Sequence, residues 1–311
     1  MPFCYTRLVV QARAWHAPKL GKMTARPLRV LLGLVCACFV APPAYAAAAG
    51  GTLDRIRDTG TITFAYRAGA PPFSFADRDG RVRGYSAELC AEVAASIQQQ
   101  LKLPTLKVTW VPVDAENRLE AVAGGRADAE CGTTTMTLSR MQKVDFSLPI
   151  FVDGATLLIR ANSKIGKLAD LKSRKVAVIS GTTTEQALVA AMNLQNATAT
   201  LVPVKDGAEG VALLSSGKVD AYAGDRVVLA GFKLREVARK NLELFGSDFS
   251  YEPYGIVVRR DDSDFRLAVN RALAELYKRG GIDQVYQRWL APLGPPGPLL
   301  NAMYYLNAIP E

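Results

Sequence analysis

The chain has 311 residues, of which 49% are hydrophobic and 22% are charged, so it has enough apolar residues for one large or two smaller globular domains. The formal net charge is +9, but six of the 38 Lys and Arg residues and no acidic residue lie in the first 46 positions. The rest of the chain carries about +3 without clustered Lys or Arg, which argues against a nucleic-acid partner.

The N-terminal region predicts an exported protein. Basic residues precede an apolar run at 30–40, and small residues ending at Ala46 follow it. This pattern is typical of a cleaved signal peptide, here 1–46, with Met23 as a possible true start. The run is shorter than the roughly 20 residues that a membrane-spanning helix needs. We therefore expect a periplasmic protein rather than a membrane-anchored one.

Histidine and cysteine limit the possible chemistry. The single histidine, His16, lies in the predicted signal peptide, so the mature chain lacks the residue on which Ser-His-Asp and Cys-His nucleophiles and most zinc sites depend. We expect no metal and no cofactor. Cys90 and Cys131 remain after export, in a compartment that permits a disulfide. Both lie in apolar strings, which favours two buried free thiols over a bridge.

The predicted secondary structure alternates between strands and helices along most of the chain. This order is typical of an α/β fold with mostly parallel sheets flanked by helices. The predicted strands are 61–68, 106–113, 127–130, 175–181, 198–204 and 219–224, and the predicted helices are 85–101, 117–125, 184–194, 208–215, 263–281 and 282–290.

An internal repeat predicts two similar lobes. The sequence GRADAECG at 125–132 and the sequence GKVDAYAG at 217–224 are identical at four of eight positions, and each follows a short helical pattern. Their offset of 92 residues is close to the size of one small α/β lobe. We interpret each copy as an equivalent helix-turn-strand unit in its own lobe.

Polar residues follow both repeat strands, where open parallel sheets bind ligands. Thr133 and Thr135 follow the first strand, and Asp225 follows the second. Two facing lobes would therefore offer hydroxyl groups from one wall of a cleft and a carboxylate from the other. Thr137 is expected to cap a helix that carries Arg140, whose guanidinium suits a carboxylate ligand. A capped surface helix with a solvated arginine remains an alternative.

The other candidate residues lie at the ends of predicted elements. Thr182 begins a capping-box pattern that ends at Glu185 and opens a helix. Arg67 ends the first strand, and Arg118 begins a helix. Surface positions would also explain each of them. Together, three arginines and one aspartate suit a small zwitterion that carries one extra carboxylate.

These residues lie within stretches that resemble a known family. The stretches GYSAELC, AENRLEAVAGGRADAECGTTTMTLSRMQKVDFSLPIF, SGTTTE and AGD resemble the type II periplasmic solute-binding proteins of polar amino-acid ABC importers, the bacterial extracellular solute-binding protein family 3. Within that family, the resemblance is greatest to the group that binds glutamate and aspartate. It extends from about Thr52 to near the C-terminus.

The resemblance implies a two-lobed type II periplasmic binding protein fold with two crossover strands as the hinge. The first lobe would be discontinuous and the second continuous, with crossings near VDGATLL and EPYGIVV. The implied divisions are a first lobe of 52–153 plus 254–294, a second lobe of 154–253 and a C-terminal tail of 295–311.

The resemblance also implies roles for the candidate residues. Arg140 and Thr135 would hold the α-carboxylate of an amino acid, with Thr133 nearby, and Asp225 would take the α-amino group. The side-chain carboxylate would face the other two arginines, Arg67 and Arg118, and Thr182 would close over the ligand from the second lobe.

Two positions depart from the pattern of the family. A histidine expected at the ligand is Gly207 here, and a serine before ENR is Ala115. Both changes fall at the side-chain end of the pocket and leave the choice between glutamate, aspartate and other polar amino acids open.

The expected function is therefore binding without catalysis. The protein would be a monomer that binds glutamate or aspartate and delivers it to an inner-membrane ABC permease. A secreted dehydratase of the cyclohexadienyl (prephenate or arogenate) type on the same fold is the alternative, because carboxylates near the cleft could transfer protons.

Overall fold

A computed structural model of the protein describes residues 51–235 and 241–310. The predicted signal peptide lies outside these residues. No helix in the described part of the chain is both long and apolar enough to span a bilayer.

The described residues alternate between helices and strands, as the sequence predicts. The helices are α1 (Thr52–Thr59), α2 (Tyr85–Gln100), α3 (Arg118–Ala123), α4 (Thr183–Leu194), α5 (Gly207–Ser215), α6 (Arg226–Arg235), α7 (Ser263–Lys278), α8 (Gly281–Leu290) and α9 (Pro298–Leu306). The strands are β1 (Thr61–Arg67), β2 (Gly69–Ala70), β3 (Ser74–Ala76), β4 (Val82–Arg83), β5 (Lys107–Val113), β6 (Ala129–Glu130), β7 (Val144–Asp153), β8 (Ala155–Arg160), β9 (Lys175–Ile179), β10 (Thr200–Val204), β11 (Ala221–Asp225), β12 (Leu242–Leu244) and β13 (Glu252–Arg259).

Two five-stranded sheets share one arrangement. The strand order is β5-β1-β6-β13-β7 in the first and β10-β9-β11-β8-β12 in the second. In each sheet the first three strands are parallel, and the fourth is antiparallel to both of its neighbours. The repeat strands β6 and β11 both take the middle position, which confirms that the two copies are equivalent units.

The chain crosses between the sheets twice. Gly154 alone separates β7 in the first sheet from β8 in the second, and a short connection joins β12 to β13. A small antiparallel sheet formed by β2, β3 and β4 accompanies the first large sheet. The two crossings bring the first residues of β13 close to the ends of strands in both sheets.

An aromatic cluster fixes the crossing strands. Phe73, just before β3, packs edge-on against Phe151 of β7 and Tyr254 of β13, with ring centroids 4.9 and 5.4 Å apart. Tyr85 of α2 joins the cluster and donates a hydrogen bond to the carbonyl of Ile150 at 2.8 Å. All five residues are buried, so the strands that link the lobes share one packed core.

Cys90 and Cys131 form a disulfide, and the expectation of two free thiols is wrong. Both residues are fully buried, as the sequence predicts. Packing of α2 brings the two Cα atoms to 6.2 Å across a sequence separation of 41 residues, which a one-dimensional pattern does not reveal. The bridge joins α2 to the residue that directly precedes Gly132 and the three threonines.

The helix predicted to begin at Thr137 is also corrected. Thr137 Oγ1 accepts a hydrogen bond from the Arg140 backbone N–H at 3.2 Å, but the N-cap of the element is Ser139, without a side-chain capping bond. The element is a single 3₁₀ turn over Arg140–Gln142, because the chain enters β7 at Val144. This turn is too short to provide the anion-attracting dipole of a helix.

Removing the disulfide should destabilise the protein without changing its fold. A crosslink that closes a loop of this length contributes about 4 kcal/mol by limiting the unfolded chain. We expect the Cys90→Ala/Cys131→Ala variant to lose about 2–5 kcal/mol of unfolding free energy in urea titrations. The matched comparison is wild-type protein with and without reductant; equal stability of all three samples would contradict the bridge.

Candidate functional site

A cavity lies between the two large sheets, at the carboxyl ends of β1, β9 and β11. Both sheets and the start of α4 contribute to its wall. Six of the seven residues that the sequence predicts as ligand-binding line it; Arg140 is not part of the lining. Its lining includes Arg67, Arg118, Thr133, Thr135, Ile179, Thr182, Thr183, Thr184, Tyr222 and Asp225.

Two residues that line this cavity carry buried guanidinium groups. Arg67 is 9% exposed and Arg118 is 3% exposed. Arg118 donates a hydrogen bond to the carbonyl of Ala115 at 2.6 Å, whereas its Nε finds no acceptor among the described residues. Burial, together with the charges of Arg67 and Arg140, lowers the pKa of Arg118 to about 9, so it stays charged at neutral pH.

Glu130 balances part of this positive charge. Its side chain is fully buried, and one carboxylate oxygen accepts a hydrogen bond from the Thr134 hydroxyl at 2.7 Å. Burial raises the pKa of Glu130, and the nearby Arg118 opposes that shift. A side chain at Gly132 would collide with the Glu130 carboxylate and the Arg67 side chain, so only glycine fits between them.

The start of α4 forms the opposite wall. Thr182 caps the helix by accepting a hydrogen bond from the Glu185 backbone N–H at 3.2 Å, and Glu185 accepts one from Gly181 at 2.8 Å. The next two threonines donate their hydroxyl protons, Thr183 to Glu252 at 2.7 Å and Thr184 to Asp225 at 2.9 Å. The first N–H groups of α4 have no acceptor within the helix, and the helix dipole makes this wall attractive to anions.

Arg140 lies behind the threonine loop, the segment 132–135 that contains Thr133, Thr134 and Thr135. Its guanidinium donates to the carbonyl of Thr135 at 2.7 Å. Burial lowers the pKa of Arg140, and the charge of Glu252 is the largest opposing influence. The predicted contact between Arg140 and a ligand therefore stays a prediction.

The structure adds acidic groups that sequence reasoning missed. Tyr254 donates to Asp225 at 2.7 Å and lies 3.3 Å from Asp153, and Thr135 donates to Glu252 at 2.5 Å. Burial and the charge of Glu252 raise the pKa of Asp225; burial and the charge of Asp225 raise the pKa of Asp153 well above its usual value.

The charge expected for the site, three arginines against one aspartate, is therefore incomplete. Glu252 accepts hydrogen bonds from two lining threonines, and the charge of Glu130 acts on Arg118. Asp153 shares the Tyr254 hydroxyl with Asp225. The only signal for Asp153 and Glu252 was an acid within an otherwise apolar strand, where an unpaired charge is costly.

Comparison with known proteins agrees with this geometry. Residues 62–292 match the model of the bacterial extracellular solute-binding proteins, family 3. The chain belongs to that family.

Two relatives and one solved structure illustrate the similarity. The L-glutamate/L-aspartate-binding protein of Pseudomonas aeruginosa is 34% identical over 86% of this chain and 89% of its own. The glutamate/aspartate import solute-binding protein of Escherichia coli is 32% identical over 87% and 90%. An ancestral amino acid-binding protein, described as a precursor of cyclohexadienyl dehydratase, is 30% identical with a TM-score of 0.67 over 77% and 99%.

These comparisons establish the two-lobed type II periplasmic binding protein fold and decide between the two expected activities. The family and both relatives are solute-binding proteins, and the structure related to the dehydratase is itself a binding protein. The protein is a solute-binding protein and not an enzyme, so the dehydratase alternative is not retained.

The acidic cluster predicts a pH dependence for the ligand-free protein. A carboxyl whose pKa is higher in the folded state than its unfolded value of 3.8 makes folding less favourable as the pH rises between those two values. Asp153→Asn removes one such group. The unfolding free energy of this variant minus that of the wild type should therefore increase as the pH rises from about 4 towards neutrality. Urea titrations at several pH values measure this difference.

Asp170 provides the matched control. Backbone N–H groups of Gly166 and Lys167 lower the pKa of this exposed carboxyl. Its stabilising contribution is complete above the unfolded pKa and is lost only as the pH falls through the folded pKa. The difference between Asp170→Asn and wild type should thus stay constant above about pH 4. An equally constant difference for Asp153→Asn would contradict the raised pKa of Asp153.

Proposed function

We propose that the protein binds glutamate or aspartate in the cavity between its lobes. The observation that carries the proposal is the pair of buried guanidinium groups of Arg67 and Arg118, which face the cavity while the buried acidic side chain of Glu130 lies behind them. A second carboxylate on the ligand would supply the missing negative charge in a desolvated site. Two relatives at 32% and 34% identity carry names that include glutamate and aspartate.

The remaining groups of the ligand are assigned by charge. Asp225, which lines the same cavity as the two arginines, takes the α-amino group. The α-carboxylate faces the first turn of α4, beginning at Thr182, with Arg140 supplying positive charge from behind Thr135. Thr133 completes the wall near the arginines.

We further propose how the protein acts in transport. The lobes, 52–153 with 254–294 and 154–253, close around the amino acid by bending at the two crossings, and 295–311 forms a C-terminal tail. The protein acts as a periplasmic monomer, exported by a signal peptide at 1–46, and passes its ligand to an inner-membrane ABC permease. Membership of the family and the single-residue crossing at Gly154 support this mechanism.

Isothermal titration with glutamate, aspartate and glutamine tests the ligand class. We expect a dissociation constant near or below about 1 μM for glutamate or aspartate, which corresponds to about −8 kcal/mol. Glutamine has nearly the same shape but lacks the second carboxylate, and we expect it to bind at least about tenfold more weakly because the buried arginines then lack a charged partner. Heat changes indistinguishable from dilution for both acidic amino acids would reject the proposal.

Arg118→Met isolates the contribution of the arginine pair. Glutamate should bind at least about a hundredfold more weakly to this variant, since losing one partner of a buried charge pair costs roughly 3–5 kcal/mol. Glutamine should lose much less, so the preference for glutamate should largely disappear. Arg83→Met, at a half-exposed arginine that pairs with Asp77, is the matched control and should leave both affinities unchanged. Equal losses for both ligands would show that Arg118 acts only on the structure of the cavity.

A further inference from the structure

Glu252 joins the two walls of the cavity through one oxygen atom. It is the first residue of β13 and is 1% exposed. Its Oε2 accepts a hydrogen bond from Thr135 Oγ1 at 2.5 Å and another from Thr183 Oγ1 at 2.7 Å. The first threonine follows β6 of the first sheet and the second begins α4 beside the second sheet. The other oxygen, Oε1, accepts from the Ser250 hydroxyl at 2.6 Å.

These bonds fix which way the two hydroxyl groups point. A threonine hydroxyl has one proton to donate and two lone pairs that accept. Both hydroxyls donate to the same carboxylate oxygen, so both protons are directed at Glu252. The two hydroxyl oxygens lie 3.2 Å apart, and each still has lone pairs available. Because Thr135 and Thr183 also line the cavity, their hydroxyl groups offer acceptors, not donors, to whatever fills it.

Asp225 leaves further hydrogen-bond acceptors next to Thr135 and Thr183. Its two oxygens accept hydrogen bonds from the hydroxyls of Thr184 and Tyr254, at 2.9 and 2.7 Å. Thr184 also lines the cavity, but its hydroxyl proton is directed at Asp225. Asp225 itself has no proton to donate when it is ionised. The hydroxyls of Thr135, Thr183 and Thr184 and the carboxylate of Asp225 therefore offer acceptors to the cavity, whereas the guanidinium groups of Arg67 and Arg118 can only donate.

We infer that Glu252 determines specificity without touching the ligand. By holding the protons of Thr135 and Thr183, it builds a subsite, a pair of hydroxyl acceptors shared by both lobes, for a group rich in N–H donors. A primary ammonium group fits this subsite, and a carboxylate does not. The inference rests on the proposed function and refines it, because the Thr135 hydroxyl then receives the α-ammonium group and does not donate to the α-carboxylate, as the sequence had suggested.

The subsite also depends on closure of the lobes. Thr135 and Thr183 belong to opposite walls, and the shared Glu252 oxygen brings their hydroxyls within 3.2 Å of each other. An ammonium group that bonds to both threonines therefore binds best when the lobes are together. Glu252 thereby couples recognition of the amino group to the closed arrangement.

The test compares glutamate with glutarate, the same dicarboxylate without the amino group. Competition titrations give the ratio of the two dissociation constants for each variant. Glu252→Met removes the acceptor, which lets the threonine protons turn into the cavity, and it should reduce the preference for glutamate over glutarate at least about tenfold. Glu252→Gln keeps an amide oxygen that can accept from both threonines, and it should retain most of the preference.

Two results would overturn the inference. One is that Glu252→Met weakens glutamate and glutarate by the same factor, as a purely structural role requires. The other is that Glu252→Gln loses as much of the preference as Glu252→Met, which would show that the charge of Glu252 matters and not the direction of the hydroxyls. If wild-type protein binds neither ligand, the proposed function fails as well; a wild-type preference that no variant alters rejects this inference alone.

Two further variants keep the test decisive if Glu252→Met does not fold. Thr183→Val removes one of the two acceptors while Glu252 keeps its bond to Thr135, and the preference for glutamate should again fall. An unchanged preference would contradict the subsite. Ser250→Ala is the matched control. It removes the bond to Oε1 and the bond that Ser250 accepts from the Ala155 backbone N–H, but it leaves both threonine bonds to Oε2 in place, so the ratio should stay at its wild-type value.

Discussion

The cost of burying charge governs this site. Arg67 and Arg118 are removed from water at the end of β1 and at the start of α3, and Arg118 has a nitrogen without a partner among the described residues. A guanidinium in such a place is unfavourable unless an anion completes it. Glu130 supplies one negative charge near Arg118, and a carboxylate of a dicarboxylic amino acid would supply a second.

The repeated lobes explain how opposite charges come to face one cavity. Each lobe places its repeat strand in the middle of a sheet with the same strand order, so the residues after β6 and after β11 point towards the shared cleft. The crossing strands then bring Tyr254, Asp153 and Glu252 between the two sets of strand ends. The aromatic cluster around Phe73 fixes these strands, and the disulfide anchors the residue before the threonine loop.

Much of the fold, and part of the site, could be predicted from residues close in sequence. Strand and helix periodicity gave the α/β order, the repeat gave two lobes, and the ends of strands and helices gave Arg67, Arg118, Thr133, Thr135, Thr182 and Asp225, all of which line the cavity. The features that were missed depend on contacts between distant residues. The Cys90–Cys131 bridge, the position of Arg140 behind Thr135, and the bonds of Glu252 to both walls all arise only when separate elements pack together. A sequence pattern carries no record of such contacts, and an acid in an apolar strand indicates only that some partner must exist.

A crystal structure of the protein with glutamate would test the central claim most directly, because it fixes the orientation of both charged ends at once. We expect the side-chain carboxylate within hydrogen-bond distance of Arg67 and Arg118, and the ammonium group against Asp225 and the hydroxyl oxygens of Thr135 and Thr183. A ligand bound in the reverse orientation, or glutamate found outside the cavity between the lobes, would contradict the claim.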